Sequence, residues 1–493
     1  MTAPEAITLD RRPAWRWLLP LCVAAAAYGL GWQLQPEQRL VGAIFALTVA
    51  AWITEALPLA VTALLSTSLL VLSGVAEEKK AFSAYGDPII LLFVGSFLLA
   101  KSMEISGLAS RMAWWALSQR WASVSASRLV LVTGVVSCVI SLFVSNTAVA
   151  AMLLPVVAGI LASMGAQGTS FATAMMLMLT WGSSVAVGVP VGTPPNLIGM
   201  ELIFRSTGRQ ISFLEWMAFG LPITAAMVVA AWLVLRMFDL RKAPPIQEAR
   251  SHAESEYRAL PTMSSSERNT VLAFLITLTL WVLPDTLALA WSAAGMDAPP
   301  AVGWLQKHVT PTIAALLGAS LLFLLPARDK PSGRTLSWRE GVTIDWGIVL
   351  LFGGGIALGQ AMFDSGLAKV LGEAAAQATG ADSLWAITAL CIASSILLSE
   401  LASNTAAATT IVPVAVGLAQ GAGVSPIAPA LGAALGASFG FMLPVSTPPN
   451  AIVYSSGQVT SGQMAKRGFL IDLIAFLVVL LGLRLILPPL GLA

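Results

Sequence analysis

Long apolar stretches separated by short polar connectors run along almost the whole chain. An apolar run of about 20 residues crosses a bilayer as a helix, and a tilted or broken helix can use a shorter one. On this criterion, transmembrane helices are predicted near 15–33, 38–55, 57–75, 88–106, 171–200, 216–238, 270–294, 310–326, 345–363, 425–456 and 468–490. The pattern therefore predicts an all-α polytopic membrane protein with about eleven such helices.

Two further apolar stretches, 128–163 and 384–418, are too long for one span and are interrupted near the middle by Ser-Asn-Thr. A helix that enters the membrane, turns at a polar tip and leaves on the same side fits each stretch better than a straight span. Backbone that is not helical is tolerated at membrane depth only inside protein or beside water. We therefore expect two re-entrant helical hairpins whose polar tips carry function.

The two halves of the chain contain related segments. Three segments of the first half recur in the same order in the second: Ser106–Ala109 at Ser365–Ala368, Val144–Ala148 at Ala402–Ala406, and Pro190–Asn196 at Pro444–Asn450. The spacing between partners is nearly constant, at 259, 258 and 254 residues. Ordered matches at a nearly constant spacing indicate a duplicated unit.

An odd number of spans between corresponding hairpins makes the two copies inverted, which is a common plan for secondary transporters with broken helices. The predicted first repeat, 1–238, holds the N-terminal helices and a cytoplasm-facing hairpin, 128–163. A polar cytoplasmic linker, 239–269, joins it to a second repeat, 270–493, with an outward-facing hairpin, 384–418.

Basic residues concentrate in a few connectors, and this bias sets the expected orientation. Cytoplasmic loops of membrane proteins carry an excess of lysine and arginine. The N-terminus and the linker between the halves hold Arg11, Arg12, Arg16, Arg241, Lys242, Arg250, Arg258 and Arg268. We expect a multi-pass protein of the cell (inner) membrane, with its N-terminus in the cytoplasm and its C-terminus outside.

Composition narrows the classes of function. The chain of 493 residues is 57% hydrophobic and only 11% charged, whereas soluble domains carry about 25% charged residues. A net charge of +2 without a basic stripe argues against nucleic acid as a partner. The sequence has two histidines, three widely spaced cysteines and no G-x-x-x-x-G-K-S/T loop, so neither a hydrolase nor an ATP-driven pump is indicated. These features favour a transporter over an enzyme.

The Ser-Asn-Thr motifs suit anion binding. Serine, asparagine and threonine are good helix N-caps, so residues 145–147 and 403–405 are predicted to start the second arm of each hairpin. Backbone N–H groups at a helix start lie at the positive end of the dipole and bind anions readily. Helix capping alone would explain one copy, but it requires no second copy at a matching spacing.

The Thr-Pro-Pro-Asn segments suit cation binding. Paired prolines interrupt a helix, which leaves carbonyl oxygens for a hard cation such as sodium. Ser141 and Ser399 lie one helical turn before the motifs and can add hydroxyl oxygens. Each half is expected to supply one cation site between a hairpin tip and a helix break, with the anion between the two tips. Glu400 adjoins the second tip and could tune cation affinity, although its first-half counterpart is Leu142.

The chain resembles the divalent anion/sodium symporter family, which includes sodium-coupled dicarboxylate, citrate and sulfate carriers. The resemblance covers roughly 15–490 and rests on the paired Ser-Asn-Thr motifs and on Ala437–Val453, ASFGFMLPVSTPPNAIV. It implies sodium as the coupling ion and a homodimer in membrane lipid. It also implies a scaffold domain and a transport domain that moves as an elevator.

The resemblance further implies roles for residues at matching positions, none of them catalytic. Contacts to a small dianionic substrate would come from Asn146, Thr147, Ser403, Asn404, Thr405, Thr447 and Pro448. A first sodium site would use Ser141, Ser145, Asn146 and Gly192, and a second would use Ser399, Ala402, Asn404 and Ser446.

The leading hypothesis is sodium-coupled symport of C4-dicarboxylates, such as succinate, malate or fumarate, by an elevator-type mechanism. Two alternatives within the family are a sodium-independent exchanger of dicarboxylates or citrate, and a sulfate carrier. An anion channel is disfavoured because two occluded sites do not make a continuous pore.

Overall fold

The computed structural model describes residues 15–240, 245–380 and 382–492. Within these ranges the chain is helical apart from turns and connectors, and one isolated β-bridge pairs Pro326 with Arg334. The α-helices of the described ranges are α1 (Trp15–Leu30), α2 (Pro36–Thr54), α3 (Leu59–Leu72), α4 (Glu78–Ser83), α5 (Pro88–Ser106), α6 (Leu108–Ser118), α7 (Ala126–Ser141), α8 (Asn146–Ser163), α9 (Ser170–Ser184), α10 (Pro194–Thr207), α11 (Phe213–Asp239), α12 (Gln247–Ala259), α13 (Ser265–Ala293), α14 (Pro300–His308), α15 (Pro311–Leu324), α16 (Trp338–Gly341), α17 (Trp346–Asp364), α18 (Leu367–Thr379), α19 (Leu384–Leu401), α20 (Asn404–Gly421), α21 (Ile427–Ala437), α22 (Pro448–Ser455) and α23 (Ser461–Ile486).

Seven helical segments of the described chain are long and apolar enough to cross a membrane. They are Glu78–Ser106, Asn146–Ser163, Phe213–Asp239, Ser265–Ala293, Trp346–Asp364, Leu384–Leu401 and Ser461–Ile486. An eighth results if α14 and α15, which meet at 73°, are counted together. The all-α polytopic prediction is confirmed. The number of about eleven stays a prediction, because expected spans such as 171–200 and 425–456 each consist of two shorter helices.

Both long apolar stretches are interrupted at their Ser-Asn-Thr motifs. α7 and α8 are separated at 142–145, and α19 and α20 at 402–403; we call these segments the first and second tips. Ser145 caps α8 and Ser403 caps α20, because each hydroxyl accepts the backbone N–H three residues later, at 3.3 and 3.2 Å. The caps confirm that these motifs start a second helical arm in each half.

Two further helical stretches are interrupted at their Thr-Pro-Pro-Asn segments. We call residues 185–193, between α9 and α10, the first break, and residues 438–447, between α21 and α22, the second break. Thr193 and Thr447 are the N-caps of α10 and α22. The prolines therefore lie in the first helical turn. Backbone N–H groups there have no acceptor within the helix, so the N–H that proline lacks costs no hydrogen bond.

The two halves interlock through the helices that flank these segments. Phe171–Ser184 of α9 and Ala428–Ala437 of α21 are buried throughout. α22 of the second half packs on α8 of the first, and α10 of the first half packs on α20 of the second. The helix after each break therefore lies against the second arm of the other half, so both halves contribute to one region.

The segment predicted as a polar linker, 239–269, contains a helix of its own. Two residues of α12, Ala249 and Ala253, are buried, and the helix packs on α6 and α8. Most of the surface of α12 is polar and only a narrow stripe is apolar, so this helix is hard to recognise from the sequence. Four basic residues used to predict the orientation lie outside the described residues: Arg11, Arg12, Arg241 and Lys242.

Arg205, near the end of α10, links this helix to two others. Its guanidinium pairs with Glu201 of the same helix and with Asp87, the N-cap of α5. It also donates to Gln360 of α17 at 3.3 Å. The Arg205 side chain is 25% exposed and that of Asp87 10%, so the pair is partly hydrated. Polar contacts as well as packing thus hold α10 against α5 and α17.

Glycines allow α18 and α20 to touch backbone to backbone. A Cβ atom added at Gly417 of α20 would lie 1.9 Å from the carbonyl oxygen of Ala368 in α18. We expect Gly417→Ala to force the helices apart and to lower the free energy of unfolding by about 1–3 kcal/mol, measured as a lower Tm of the purified protein. The matched control is Gly462→Ala in α23, where nothing lies within 4 Å of the added atom. Equal Tm changes in the two variants would contradict the prediction.

Candidate functional site

In the first half, the tip and the break meet around Ser141, Asn146 and Gly192. The Ser141 hydroxyl donates to Asn146 Oδ1 at 2.7 Å. A Cβ added at Gly192 would lie 2.3 Å from the Ala186 carbonyl oxygen and 3.4 Å from that of Leu142. The backbone at Gly192 therefore passes beside carbonyl oxygens of both the break and the tip, where no side chain fits. Such an oxygen-rich setting suits a hard cation.

The second half repeats this arrangement. The Ser399 hydroxyl lies 2.8 Å from Asn404 Oδ1 and 2.8 Å from the Ala437 carbonyl oxygen, so its single proton serves one acceptor at a time. The Asn404 amide nitrogen donates to the Ser438 carbonyl at 3.2 Å. A Cβ at Gly440 would lie 3.1 Å from the Ser399 carbonyl oxygen. The second break thus lies directly against the second tip.

An asparagine after each proline pair holds its break in shape. The Asn196 amide nitrogen donates to the carbonyls of Val187 and Val189, at 3.2 and 3.0 Å. The Asn450 amide nitrogen donates to two carbonyls of the second break, at 3.1 and 3.0 Å. Because buried carbonyls are costly to leave without a donor, these asparagines decide which carbonyl oxygens remain for other ligands.

Hydrogen bonds join the two half sites. Thr193 Oγ1 of the first break lies 3.0 Å from Ser438 Oγ of the second, and the Ser438 carbonyl accepts the Asn404 amide. Thr180 of α9 donates to Asn450 Oδ1 at 2.8 Å. The first break, the second break and the second tip are therefore connected by side-chain hydrogen bonds.

The predicted site residues differ in how open they are. Ser145, Thr147 and Pro448 are exposed, Asn146, Ser403 and Asn404 are half-buried, and Ser141, Gly192, Ser399, Ala402, Thr405, Ser446 and Thr447 are buried. Most of the buried set are residues predicted to bind cations, and the more open set lies at helix starts. Within the described residues, the Asn146 amide nitrogen has no acceptor, which leaves it available to a ligand.

The tips and breaks carry no lysine or arginine. Four helices, α8, α10, α20 and α22, begin at these segments. Their first-turn N–H groups lie at the positive ends of the helix dipoles. The arrangement can therefore attract an anion without a basic side chain, and its carbonyl and hydroxyl oxygens can accept a cation.

The sequence analysis named Glu400 but not its contacts, and it missed Asp472 altogether. Glu400 accepts the N–H groups of Met442 and Leu443 at 2.8 and 3.2 Å, so it anchors the second break. Asp472 of α23 lies beside Glu400. Its signal was present in the sequence, because it is the one acidic residue in the apolar stretch 468–490, and an acid inside a span is a functional candidate.

A cavity of about 830 Å³ opens on the flank of this region. Pro190 of the first break lines it, together with Asp87, Glu201, Trp281 and Lys307. None of the predicted substrate or sodium residues lines this cavity. It therefore belongs to the surface between α5, α10, α13 and α15 rather than to the tips.

The whole chain matches one family of membrane proteins. The family model described as sodium:sulfate symporter transmembrane region matches residues 16–492. The sodium-dependent dicarboxylate transporter SdcS of Staphylococcus saprophyticus is 31% identical over 475 residues, which are 92% of this chain and 88% of the relative. SdcS of Staphylococcus aureus is 32% identical over 452 residues, which are 89% of this chain and 84% of the relative.

Two solved structures share the fold. The YdaH transporter of Alcanivorax borkumensis aligns with a TM-score of 0.57 at 16% identity, covering 97% of this chain and 98% of that one. MtrF of Neisseria gonorrhoeae, described as representing a class of antimetabolite efflux pumps, aligns with a TM-score of 0.57 at 14% identity, covering 93% of this chain and 96% of that one. At these identities the likeness concerns the fold alone.

The apolar helices and the family match show that the chain is a multi-pass membrane transporter. The chain belongs to the divalent anion/sodium symporter family, because the family model spans nearly all of it and two relatives exceed 30% identity. This confirms the resemblance inferred from the tips and breaks.

Proposed function

We propose that this protein is a sodium-coupled symporter of C4-dicarboxylates such as succinate, malate and fumarate. The observation that carries the proposal is the paired site, in which each half holds a serine–asparagine hydrogen bond at its tip against a broken helix. The names of the SdcS relatives, sodium-dependent dicarboxylate transporters, support the same substrate class and coupling ion.

In this proposal each half binds one sodium ion between its tip and its break. The first ion is bound by Ser141, Ser145, Asn146 and Gly192, and the second by Ser399, Ala402, Asn404 and Ser446. The short Ser–Asn hydrogen bonds support this assignment because they bring two oxygens together before any ion binds. A serine hydroxyl can keep donating to the asparagine while its lone pairs face the ion.

The dicarboxylate binds between the two tips. Its contacts are Asn146, Thr147, Ser403, Asn404, Thr405, Thr447 and Pro448. Two sodium ions and four helix starts balance its charge. Because the tips and breaks lack a basic side chain, the dianion binds poorly without sodium, and this mutual dependence couples the two fluxes.

Transport proceeds by an elevator-type movement within a homodimer. The mobile transport domain contains the tips and breaks, with α7–α11 and α19–α23, and the scaffold contains α1–α5 and α13–α17. The same proposal includes the inverted repeats 1–238 and 270–493, with one hairpin facing inward and the other facing outward. It also places the N-terminus in the cytoplasm and the C-terminus outside.

A sulfate carrier is the second candidate, because the matching family model is described by sodium:sulfate symporters. Hydroxyl, amide and backbone N–H donors can bind sulfate as well as carboxylates. Substrate competition separates the two.

Proteoliposomes with an inward sodium gradient are expected to accumulate radiolabelled succinate, and replacing sodium by choline is expected to abolish uptake. Unlabelled malate and fumarate should compete with succinate, whereas sulfate and citrate should not. Protein-free liposomes are the control. Equal uptake in choline would contradict sodium coupling, and counterflow from succinate-loaded vesicles without sodium would indicate the exchanger. Strong competition by sulfate would favour the sulfate carrier.

A further inference from the structure

A threonine of the first half reaches the asparagine that holds the second break. Thr180 lies near the end of α9, and its hydroxyl donates to Asn450 Oδ1 at 2.8 Å. Both residues are 0% exposed. A hydrogen bond between fully buried groups has no competing water, and removing its donor leaves the acceptor without a partner. This bond therefore makes part of the second break depend on a side chain of the other half.

The bond decides which way round the Asn450 amide lies. An asparagine amide carries an acceptor on one side and two N–H donors on the other. Thr180 donates to the oxygen, so the nitrogen faces the carbonyls of Gly440 and Leu443, at 3.1 and 3.0 Å. A turned amide would place its oxygen against these two carbonyl oxygens, which cannot donate to it. Thr180 thus favours the one orientation in which the second break has its donors.

The same carbonyls contact a residue proposed for the second sodium ion. Ser446 Oγ lies 3.3 Å from the Gly440 carbonyl oxygen and 2.7 Å from that of Leu443. The Asn450 amide nitrogen lies 3.3 Å from Ser446 Oγ. The amide therefore contacts both carbonyls and the hydroxyl at once, and its position sets the spacing of these oxygens in the second break.

The first break lacks this support. At the spacing of 254 residues between the two breaks, the residue that corresponds to Thr180 is Ala434 of α21. Asn196, the counterpart of Asn450, has a buried Oδ1 without a hydrogen-bond partner among the described residues. Close packing occurs there instead, because a Cβ added at Gly199 would lie 2.6 Å from Ala434 Cβ. The threonine contact is therefore a property of the second break and not a requirement of the duplicated segment.

We propose that Thr180 is a positioning residue for the second sodium site. It does not contact the ion. It holds the Asn450 amide, and the amide holds the carbonyls and the Ser446 hydroxyl of the second break in place before the ion arrives. Residues that orient the ligands of a metal ion affect its binding although they do not touch it. This role rests on the sodium coupling proposed above.

The sodium dependence of succinate uptake by proteoliposomes is the test. Thr180→Val keeps the size of the side chain but removes the donor to Asn450. We expect the sodium concentration for half-maximal uptake to rise by about 3- to 10-fold, because one buried hydrogen bond no longer supports the site. The maximal rate at saturating sodium should stay close to that of the wild type. Thr180→Ser keeps the hydroxyl and is expected to restore the wild-type sodium dependence.

The matched control is Thr173→Val in the same helix. Thr173 is also buried, and its hydroxyl reaches the second half at the Gln458 carbonyl, 3.0 Å away, but it has no contact with Asn450. A purely structural loss should lower the Tm of both valine variants. Only Thr180→Val should change the sodium dependence.

Equal shifts of the sodium dependence in the two valine variants would overturn the proposal, and so would an unchanged dependence in Thr180→Val. Failure of Thr180→Ser to restore it would have the same meaning. Wild-type uptake without sodium would overturn the proposed function itself, so the two failures are distinguishable. Should Thr180→Val not fold, Thr180→Ala, which introduces the residue type of the first half, is the second variant. Loss of folding in both would also overturn the proposal, since Thr180 would then act on the whole fold.

Discussion

Asn404→Ala is expected to lower the initial rate of sodium-driven succinate uptake by about 10- to 100-fold. Asn404 accepts from Ser399 at 2.8 Å and donates to the Ser438 carbonyl at 3.2 Å, so the substitution leaves the Ser438 carbonyl without its donor, whereas the Ser399 hydroxyl keeps the Ala437 carbonyl as an acceptor. Leaving a buried carbonyl without a donor costs about 1–3 kcal/mol, and every 1.4 kcal/mol is about a tenfold change. Asn146→Ala removes one hydrogen bond, the one that Ser141 donates to Asn146 Oδ1. It also removes the amide nitrogen that is available to a ligand.

The matched control for these two variants is Asn269→Ala. Asn269 also donates through its side chain, to the Pro326 carbonyl and to Thr335, but it lies at the start of α13 outside the tips and breaks. We expect this variant to transport at close to the wild-type rate. Near-normal uptake by Asn404→Ala, with a wild-type Tm, would remove the second tip from the substrate and cation sites.

Gly192→Ser is expected to reduce uptake at least about tenfold and to raise the sodium concentration that gives half-maximal rate. The added Cβ would lie 2.3 Å from the Ala186 carbonyl oxygen, and a backbone atom cannot move aside as a side chain can. The first break would open, and its oxygens would separate from those of the first tip. Sodium dependence of succinate uptake in proteoliposomes measures both effects.

The reverse exchange in the second half provides the matched comparison. Ser446 occupies the position that corresponds to Gly192, and its hydroxyl lies 2.7 Å from the Leu443 carbonyl oxygen. Ser446→Gly removes this hydroxyl without creating a clash, so we expect a smaller loss of uptake than for Gly192→Ser. If both variants behaved alike, the close backbone approach at Gly192 would not be what positions the first cation site.

Local chemistry explains why the tips and breaks were predictable. A serine before a helix start accepts an N–H from the next turn whatever the surroundings are, and Ser145 and Ser403 both do so. Adjacent prolines end one helix because they have no backbone N–H to donate, and they suit the first turn of the next helix, where such a donor is not needed. The duplicated motifs therefore predicted two helix starts, after Ser145 and Ser403, and two helix interruptions in advance of any structure.

Contacts between distant segments were not predictable in the same way. The hydrogen bond between Thr193 and Ser438 and the approach of Glu400 to Asp472 depend on how the halves interlock. Such packing is decided by the shapes of helix surfaces, which no spacing rule along the chain encodes. The number of spans and the sidedness of the two tips likewise depend on the bilayer and stay predictions.

The contacts of Arg205 make α10 sensitive to its ionic surroundings. The guanidinium pairs with Asp87 and donates to Gln360, and a shift of α10 by one helical turn, about 5.4 Å, would carry it away from both. Because the pair is partly open to water, dissolved salt weakens it. We therefore expect the ion pair to hold α10 against α5 less strongly in concentrated potassium or choline salts than in dilute solution. Salts that do not bind the protein can thus affect the position of α10 by screening the Arg205–Asp87 pair, independently of any ion that binds at the first break.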